Sequence, residues 1–148
     1  MATFIRRVRP IESILIPLCR VDKYPLLKFL VVINPNMGAE NGTSLNADYL
    51  NALPNLTSRE NVIIVGYVNT NVASRNIEDV ANDINSYGSL NGNLAIDGIF
   101  FDQTPFLFTN DSFDYMNQLD DIVKAHSGFG GMKLVSYIFV GLANKDRS

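Results

Sequence analysis

The chain has 148 residues with a net charge of −3, and 47% of its residues are hydrophobic, which fits one folded domain spanning 1–148. The weak negative charge argues against nucleic acid as a partner, and no apolar run reaches the roughly 20 residues that span a membrane. One cysteine and one histidine leave no Cys/His metal cluster, so neither a metal nor a cofactor is predicted.

The N-terminal segment 1–12 is basic rather than apolar. Its arginines, Arg6, Arg7 and Arg9, are more typical of a solvated chain end than of a binding patch, and the run that follows is too broken for a signal peptide. We therefore expect residues 1–12 to be poorly ordered.

Five apolar runs of strand length follow one another along the chain. They are continuous and rich in β-branched residues, which is typical of strands buried on both faces. The predicted strands are Ser13–Leu18, Lys28–Ile33, Asn61–Tyr67, Ile96–Phe101 and Lys133–Val140.

Helical patterns lie between these strands, near 46–53, at 76–88 and from about Ser112 to His126. The second is the clearest, because Asn76 is a good N-cap, apolar residues recur at helical spacing and Gly88 ends the helix. Alternation of strands and helices predicts an α/β protein with a mainly parallel sheet.

Two architectures fit this order. A doubly wound open sheet of five strands suits the length, whereas a (β/α) barrel of the TIM type has eight strands and about 250 residues. The chain would then supply about five β/α units of a barrel, and its open strand edges would invite pairing with a second copy as a homodimer.

Polar residues follow the predicted strands, where both architectures collect functional groups. Most are amides or hydroxyls, which can donate and accept hydrogen bonds to a hydroxyl-rich ligand, and no glycine-rich turn for phosphate is present. For Asn34 and Asn36, turn formation is an equally good interpretation. The candidates for binding are Asn34, Asn36, Tyr67, Asn69 and Asn71.

Asp102 ends the fourth predicted strand, with Gln103 beside it. A carboxylate at the end of an apolar run is costly unless it is hydrogen-bonded or lies in a cleft, so Asp102 is the main catalytic candidate. Glycosidases commonly use two carboxylates, and here the neighbour of the candidate is an amide.

The ordered motifs resemble those of spherulation-specific family 4, the spherulin-4-like proteins. The resemblance extends from about Ile14 to Val135 and includes V-V-I-N-P-N-M-G at 31–38, V-I-I-V-G-Y-V-N-T-N at 62–71 and D-G-I-F-F-D at 97–102. No single motif is specific, but the ordered set is.

The resemblance implies a (β/α) barrel, an extracellular or cell-surface location, and a glycoside hydrolase acting on α-1,4-linked N-acetylgalactosamine in galactosaminogalactan. Asp102 matches the first acid of the family motif, and Gln103 stands where the family has a catalytic glutamate. The resemblance therefore implies a polysaccharide partner, and also an alternative in which the protein binds carbohydrate without cleaving it.

Overall fold

The computed structural model describes residues 3–8, 21–34, 47–90, 92–107, 109–129 and 134–136. Strands and helices alternate from the second strand onward, so the chain is an α/β protein, as predicted. The strands are β1 (Thr3–Val8), β2 (Lys28–Ile33), β3 (Val62–Asn69), β4 (Gly98–Asp102) and β5 (Leu134–Ser136). The helices with described bounds are α1 (Ala47–Thr57), α2 (Ile77–Gly88) and α3 (Asn110–Ala125); residues 21–23 are also helical, and a 3₁₀ turn lies at Gly92–Leu94.

The described strands form one parallel sheet in the order β1-β2-β3-β4-β5. A doubly wound sheet reverses its strand order at a switch point, whereas successive units of a (β/α) barrel add each new strand beside the last. The described sheet shows no such reversal, so its topology is singly wound.

Helices α1, α2 and α3 pack on one face of this sheet. Apolar side chains from α1, α2 and α3 form a single core with residues from β2, β3 and β4, and this core contains fully buried residues such as Leu53, Ile84, Phe101 and Leu119. The main core of the described chain therefore lies between the sheet and its helices.

The opposite face carries a smaller cluster made of strand residues. Leu30 and Val32 of β2 pack there with Val65 and Tyr67 of β3, and Phe100 of β4 lies against them. Because side chains alternate along each strand, burial on both faces explains the continuous apolar runs in the sequence.

Helix α2 confirms the sequence prediction. The Asn76 side chain accepts a hydrogen bond from the main-chain N–H of Glu78 at 2.8 Å, and Val80, Ile84 and Tyr87 are buried on one side. Helix α3 begins earlier than predicted, because Thr109 and Ser112 form a capping box.

The first described strand was not predicted. The predicted strand Ser13–Leu18 lies outside the described residues and stays a prediction, and the strand beside β2 is Thr3–Val8, within the segment 1–12 that was expected to be poorly ordered. Two adjacent arginines interrupt the apolar pattern and conceal this strand in the sequence.

Helix α1 extends beyond its predicted end, and strand β5 is described only in part. Helix α1 continues to Thr57 with Pro54 inside it, past the predicted end at Leu53. Strand β5 is described only at Leu134–Ser136, so the rest of the predicted strand Lys133–Val140 lies outside the described residues.

Candidate functional site

The carboxyl ends of β3 and β4 lie side by side. Asn69 is paired with Asp102 in the parallel register, and Tyr67 is paired with Phe100. Because side chains alternate along a strand, Asp102 projects on the same face as Phe100, opposite the helices. Parallel α/β proteins place functional groups at this edge of the sheet.

Two hydrogen bonds hold the Asp102 carboxylate, one to each oxygen. The hydroxyl of the buried Tyr67 donates to Oδ2 at 2.7 Å, and the main-chain N–H of Gln103 donates to Oδ1 at 2.9 Å. These donors compensate for the partial burial of Asp102 and fix the direction of its carboxylate. An apolar strand can therefore end in a charged residue.

Gln103 has a fixed main chain and an exposed side chain. Its φ of 50° lies in the left-handed region, which is unfavourable for a residue with a Cβ. Its carbonyl oxygen accepts hydrogen bonds from the Thr70 hydroxyl at 2.7 Å and the Val72 N–H at 2.6 Å. These bonds hold the unfavourable conformation and leave the amide side chain at the surface beside Asp102.

The turn after β3 is also left-handed. Asn71, Val72 and Ala73 have φ values of 46°, 57° and 61°. The buried Thr70 joins this turn to β4, because its N–H donates to the Asp102 carbonyl oxygen at 3.0 Å. Such strained segments persist only where their surroundings fix them, and they are concentrated at functional sites.

Arg75 holds the turn after β3 in place through contacts of its side chain and its main chain. Its Nη1 donates to the Asn69 carbonyl oxygen at 2.7 Å and lies 2.9 Å from Oδ2 of Asp83, a buried residue of α2. The Arg75 carbonyl oxygen accepts a hydrogen bond from the Tyr115 hydroxyl of α3 at 3.1 Å. The turn is therefore tied to β3, α2 and α3.

Tyr87 of α2 supports the strand ends from the helix side. Its hydroxyl lies 3.2 Å from the Tyr67 carbonyl oxygen and 3.4 Å from that of Ile33, so it donates at the ends of both β2 and β3. Burial raises the pKa of Tyr87, and the nearby Tyr49 and Asp83 raise it further, so the hydroxyl keeps its proton and remains a donor.

Glycine at position 66 makes room for the Tyr87 ring. A Cβ added to Gly66 would lie 2.6 Å from ring carbons of Tyr87, closer than any real contact. The ring therefore lies directly against the main chain of β3, and this contact brings the hydroxyl to the strand ends.

The structure brings some of the predicted site residues together. Tyr67, Asp102 and Gln103 form one hydrogen-bonded group. The Asn69 side chain instead accepts from the Asn71 N–H at 2.6 Å, and the Asn71 amide donates to Ser74 at 2.7 Å. These two asparagines therefore form contacts within the turn, and their predicted role in binding stays a prediction.

The remaining predicted residues lie at the end of β2. The Asn34 carbonyl oxygen accepts a hydrogen bond from the Tyr49 hydroxyl at 3.1 Å, which ties this strand end to α1. Burial raises the pKa of Tyr49, so its hydroxyl also stays protonated. Asn36 lies outside the described residues, and its predicted role stays a prediction.

The sequence interpretation missed Arg75, Asp83 and Tyr87 as supports of the site. Asp83 could have been identified from the sequence, because a carboxylate on the apolar side of a predicted helix needs a hydrogen-bonding or charged partner. The other two are ordinary residues of a turn and a helix, and their contacts depend on the fold.

Within the described ranges, no group of three or more His, Cys, Asp or Glu side chains is arranged to hold a metal ion. No helix among the same residues combines the length and the hydropathy that a membrane span requires.

The described residues form a singly wound α/β fold with a carboxylate and an amide at the carboxyl edge of its sheet. The sequence model of spherulation-specific family 4 matches residues 17–138, so the chain belongs to this family. This match confirms the resemblance that the ordered motifs indicated. No curated protein matches the chain.

The chain is also similar to a solved structure, that of Aspergillus clavatus Sph3 in complex with GalNAc. The two have a TM-score of 0.84 and 37% sequence identity. The match covers 90% of this chain and 56% of the Sph3 chain, so this chain spans a little over half the length of that protein.

Proposed function

We propose that this chain carries part of a (β/α) barrel whose Asp102 site binds and hydrolyses polysaccharide containing N-acetylgalactosamine. The main support is the Asp102 carboxylate, held at 2.7 Å by the Tyr67 hydroxyl at the carboxyl edge of the sheet. The singly wound strand order agrees with a barrel segment, and Sph3, which the chain resembles, was crystallised with GalNAc.

The proposed chemistry assigns different tasks to the two kinds of residue at this edge. Asp102 acts as the acid, the base or the stabiliser of positive charge that develops on the sugar ring. Amide groups position the sugar by donating and accepting hydrogen bonds to its hydroxyls. The proposed binding residues are Asn34, Asn36, Asn69 and Asn71, together with Tyr67.

Gln103 favours a second candidate function, which is binding of the same polysaccharide without cleavage. Its exposed amide lies beside Asp102. A glycosidase that uses two carboxylates needs its second acid near the first, and the amide cannot take that role. An amide neither transfers a proton nor carries negative charge, and general acid–base catalysis contributes about 10²–10⁴-fold.

The test measures binding and cleavage of α-1,4-linked N-acetylgalactosamine oligosaccharides by this chain and its variants. We expect wild type to bind the oligosaccharide, Gln103→Glu to raise cleavage by about 10²-fold, and Asp102→Asn to lose that cleavage. Calorimetry measures the binding, and release of reducing ends measures the cleavage.

The matched control is Gln118→Glu, which makes the same change in charge on the exposed side of α3. It should leave cleavage and binding unchanged. If wild type binds the oligosaccharide without cleaving it and Gln103→Glu does not introduce cleavage, the chain is a binding protein. If wild type binds no oligosaccharide that contains the amino sugar, both candidate functions are wrong.

We also propose an extracellular or cell-surface location, which the family membership supports. Pairing of two chains through strand edges stays a prediction. In the described sheet the edge strands are β1 and β5, each paired on one side.

A further inference from the structure

Helix α1 carries an asparagine in the sequence pattern that eukaryotic cells modify with N-linked glycans. The pattern is asparagine, any residue except proline, and then serine or threonine, and Asn55-Leu56-Thr57 fulfils it. The stretches 41–43 and 110–112 fulfil it as well, and the first of these lies outside the described residues. The structure distinguishes the two patterns that it describes.

The side chain of Asn55 lies on the solvent side of α1. Tyr49, Leu53 and Leu56 are buried in the core between the helices and the sheet. Asn51 and Asn55, which are one helical turn apart, are both exposed. A bulky group attached to Asn55 therefore extends into solvent and displaces no residue of the core.

The hydrogen bond of the Asn55 amide is compatible with modification. Its Nδ2 donates to the Asn51 carbonyl oxygen at 3.2 Å, in an exposed contact within the helix. Transfer of a glycan joins Nδ2 to C1 of the first sugar, breaks the bond from that carbon to the diphosphate of a lipid-linked oligosaccharide, and releases one amide proton to a base. The second hydrogen on Nδ2 remains available to donate to Asn51, because an amide nitrogen carries two.

Asn55 lies at the amino edge of the sheet, opposite the edge that holds Asp102. It belongs to the last turn of α1, which leads back to the amino end of β3. The Arg59 side chain donates both to the Asn55 carbonyl oxygen and to Oδ1 of Asp22, which precedes β2. Strand β3 has eight residues, so about 23 Å of strand separates this edge from the candidate site.

Asn110 differs from Asn55 in its position and in the surroundings of its pattern. It is exposed, but it begins α3, which follows the carboxyl end of β4. The hydroxyl of the buried Ser112 accepts a hydrogen bond from the Thr109 N–H at 2.9 Å as part of the capping box. A glycan on Asn110 would lie on the same side of the sheet as Asp102, whereas a glycan on Asn55 leaves that side clear.

We infer that Asn55 is an N-glycosylation site, modified by a lipid-linked oligosaccharide in a eukaryotic secretory pathway, and that its glycan leaves the Asp102 site open. The modification rests on the proposed extracellular location, and the open site rests on the proposed function. The transferring enzyme binds the three residues as an extended segment, whereas they are helical in the folded chain. Modification therefore precedes the folding of α1.

The test secretes the full chain from yeast behind a cleavable leader and locates glycans by mass spectrometry of its peptides. The leader fixes the location, so occupancy measures Asn55 as an acceptor. We expect wild type to carry a glycan at Asn55, Asn55→Gln to lose it, and Thr57→Ser to keep it, because serine retains the pattern. The matched control is Asn51→Gln, the same exchange on the same exposed side of α1 but outside any such pattern, and it should leave occupancy at Asn55 unchanged.

A secreted, folded chain without a glycan at Asn55 would overturn the inference, and so would a glycan at Asn110 alone. Calorimetry then compares binding of N-acetylgalactosamine oligosaccharide by secreted wild type and secreted Asn55→Gln, and equal affinities are expected. Weaker binding by wild type would mean that the glycan obstructs the site, against the second half of the inference. If neither protein binds while Asn55 is occupied, the proposed function is wrong and the modification site is still confirmed.

Discussion

Strands β3 and β4 are held differently at their two ends. At the amino end, Asp97 continues the pairing of β4 with β3: its N–H donates to the Ile64 carbonyl oxygen at 2.7 Å, and its Oδ2 accepts from the Ile64 N–H at 2.7 Å. At the carboxyl end, side chains from several elements converge, including Tyr67, Arg75 and Tyr87.

The difference indicates that the two ends have different structural roles. At the amino end, an aspartate that substitutes for a main-chain carbonyl extends the pairing of the two strands. Holding a carboxylate in one direction requires neighbours that are themselves fixed, and the carboxyl end has them. Changes at the carboxyl end should therefore reduce both stability and ligand binding, whereas changes at the amino end should reduce stability alone.

The largest effect is expected for Arg75→Met. The change removes the cation that lies 2.9 Å from the buried Asp83 carboxylate and the donor to the Asn69 carbonyl oxygen. Breaking a buried ion pair by removing one partner is strongly destabilising, and we expect a loss of about 3 kcal/mol. Chemical denaturation measures this loss, and calorimetry should show weaker binding of N-acetylgalactosamine oligosaccharide.

Arg59→Met is the control for this variant. Arg59 pairs with Asp22 at 2.9 Å, but this pair lies at the surface, where solvent screens the charges. We expect a small fraction of the effect at Arg75 and unchanged ligand binding. Equal destabilisation by the two variants would contradict the role of Arg75 as the anchor of the turn.

A smaller but still large effect is expected for Gly66→Ala. The new Cβ would lie 2.6 Å from the Tyr87 ring, so the ring and its hydroxyl must move away from the strand ends. Overpacking of this kind costs about 2 kcal/mol, and the displaced hydroxyl should also weaken ligand binding. Thermal and chemical denaturation measure the first effect, and calorimetry measures the second.

The control is Gly92→Ala, because nothing lies within 4 Å of a Cβ added there, although the φ of 57° is unfavourable for alanine. It isolates the cost of the main-chain conformation from that of a steric clash. If Gly66→Ala costs less stability than Gly92→Ala, the close contact with Tyr87 does not determine the packing.

The sequence predicted the α/β class, the bounds of β2 and the span of α2, because continuous apolar runs and helical periodicity are local signals. Between the two sheet architectures, length alone favoured the open sheet, and the family resemblance favoured the (β/α) barrel. Strand order depends on which strands pair, and the described order is what shows a singly wound sheet. The first described strand was missed because the adjacent Arg6 and Arg7 interrupt its apolar pattern.

The sequence also predicted part of the site, because that part gives a local signal. Asp102 and Gln103 stood out because a charged residue ending an apolar run is a local anomaly, and the structure joins them to Tyr67. The support from Arg75 and Tyr87 depends on distances between elements that are far apart in the chain. Single residues in a turn and a helix carry no pattern that predicts such contacts.

The smallest of these effects is expected at the amino end, for Asp97→Ala. The variant removes the acceptor of the Ile64 N–H, and Ile64 is buried, so we expect a loss of about 1–2 kcal/mol. Asp97→Asn retains a side-chain oxygen that can accept the same hydrogen bond, and it should recover most of this stability. Denaturation of the three proteins side by side measures the loss and the recovery.

Ligand binding then tests the division between the two ends. Asp97 directly precedes β4 and Asp102 ends it, so the folded fraction of Asp97→Ala should bind N-acetylgalactosamine oligosaccharide with the affinity of wild type. Weaker binding by this folded fraction would mean that the whole length of the strand positions Asp102. The carboxyl-end network would then not be sufficient to hold the site, because strand pairing at the far end would contribute to its geometry as well.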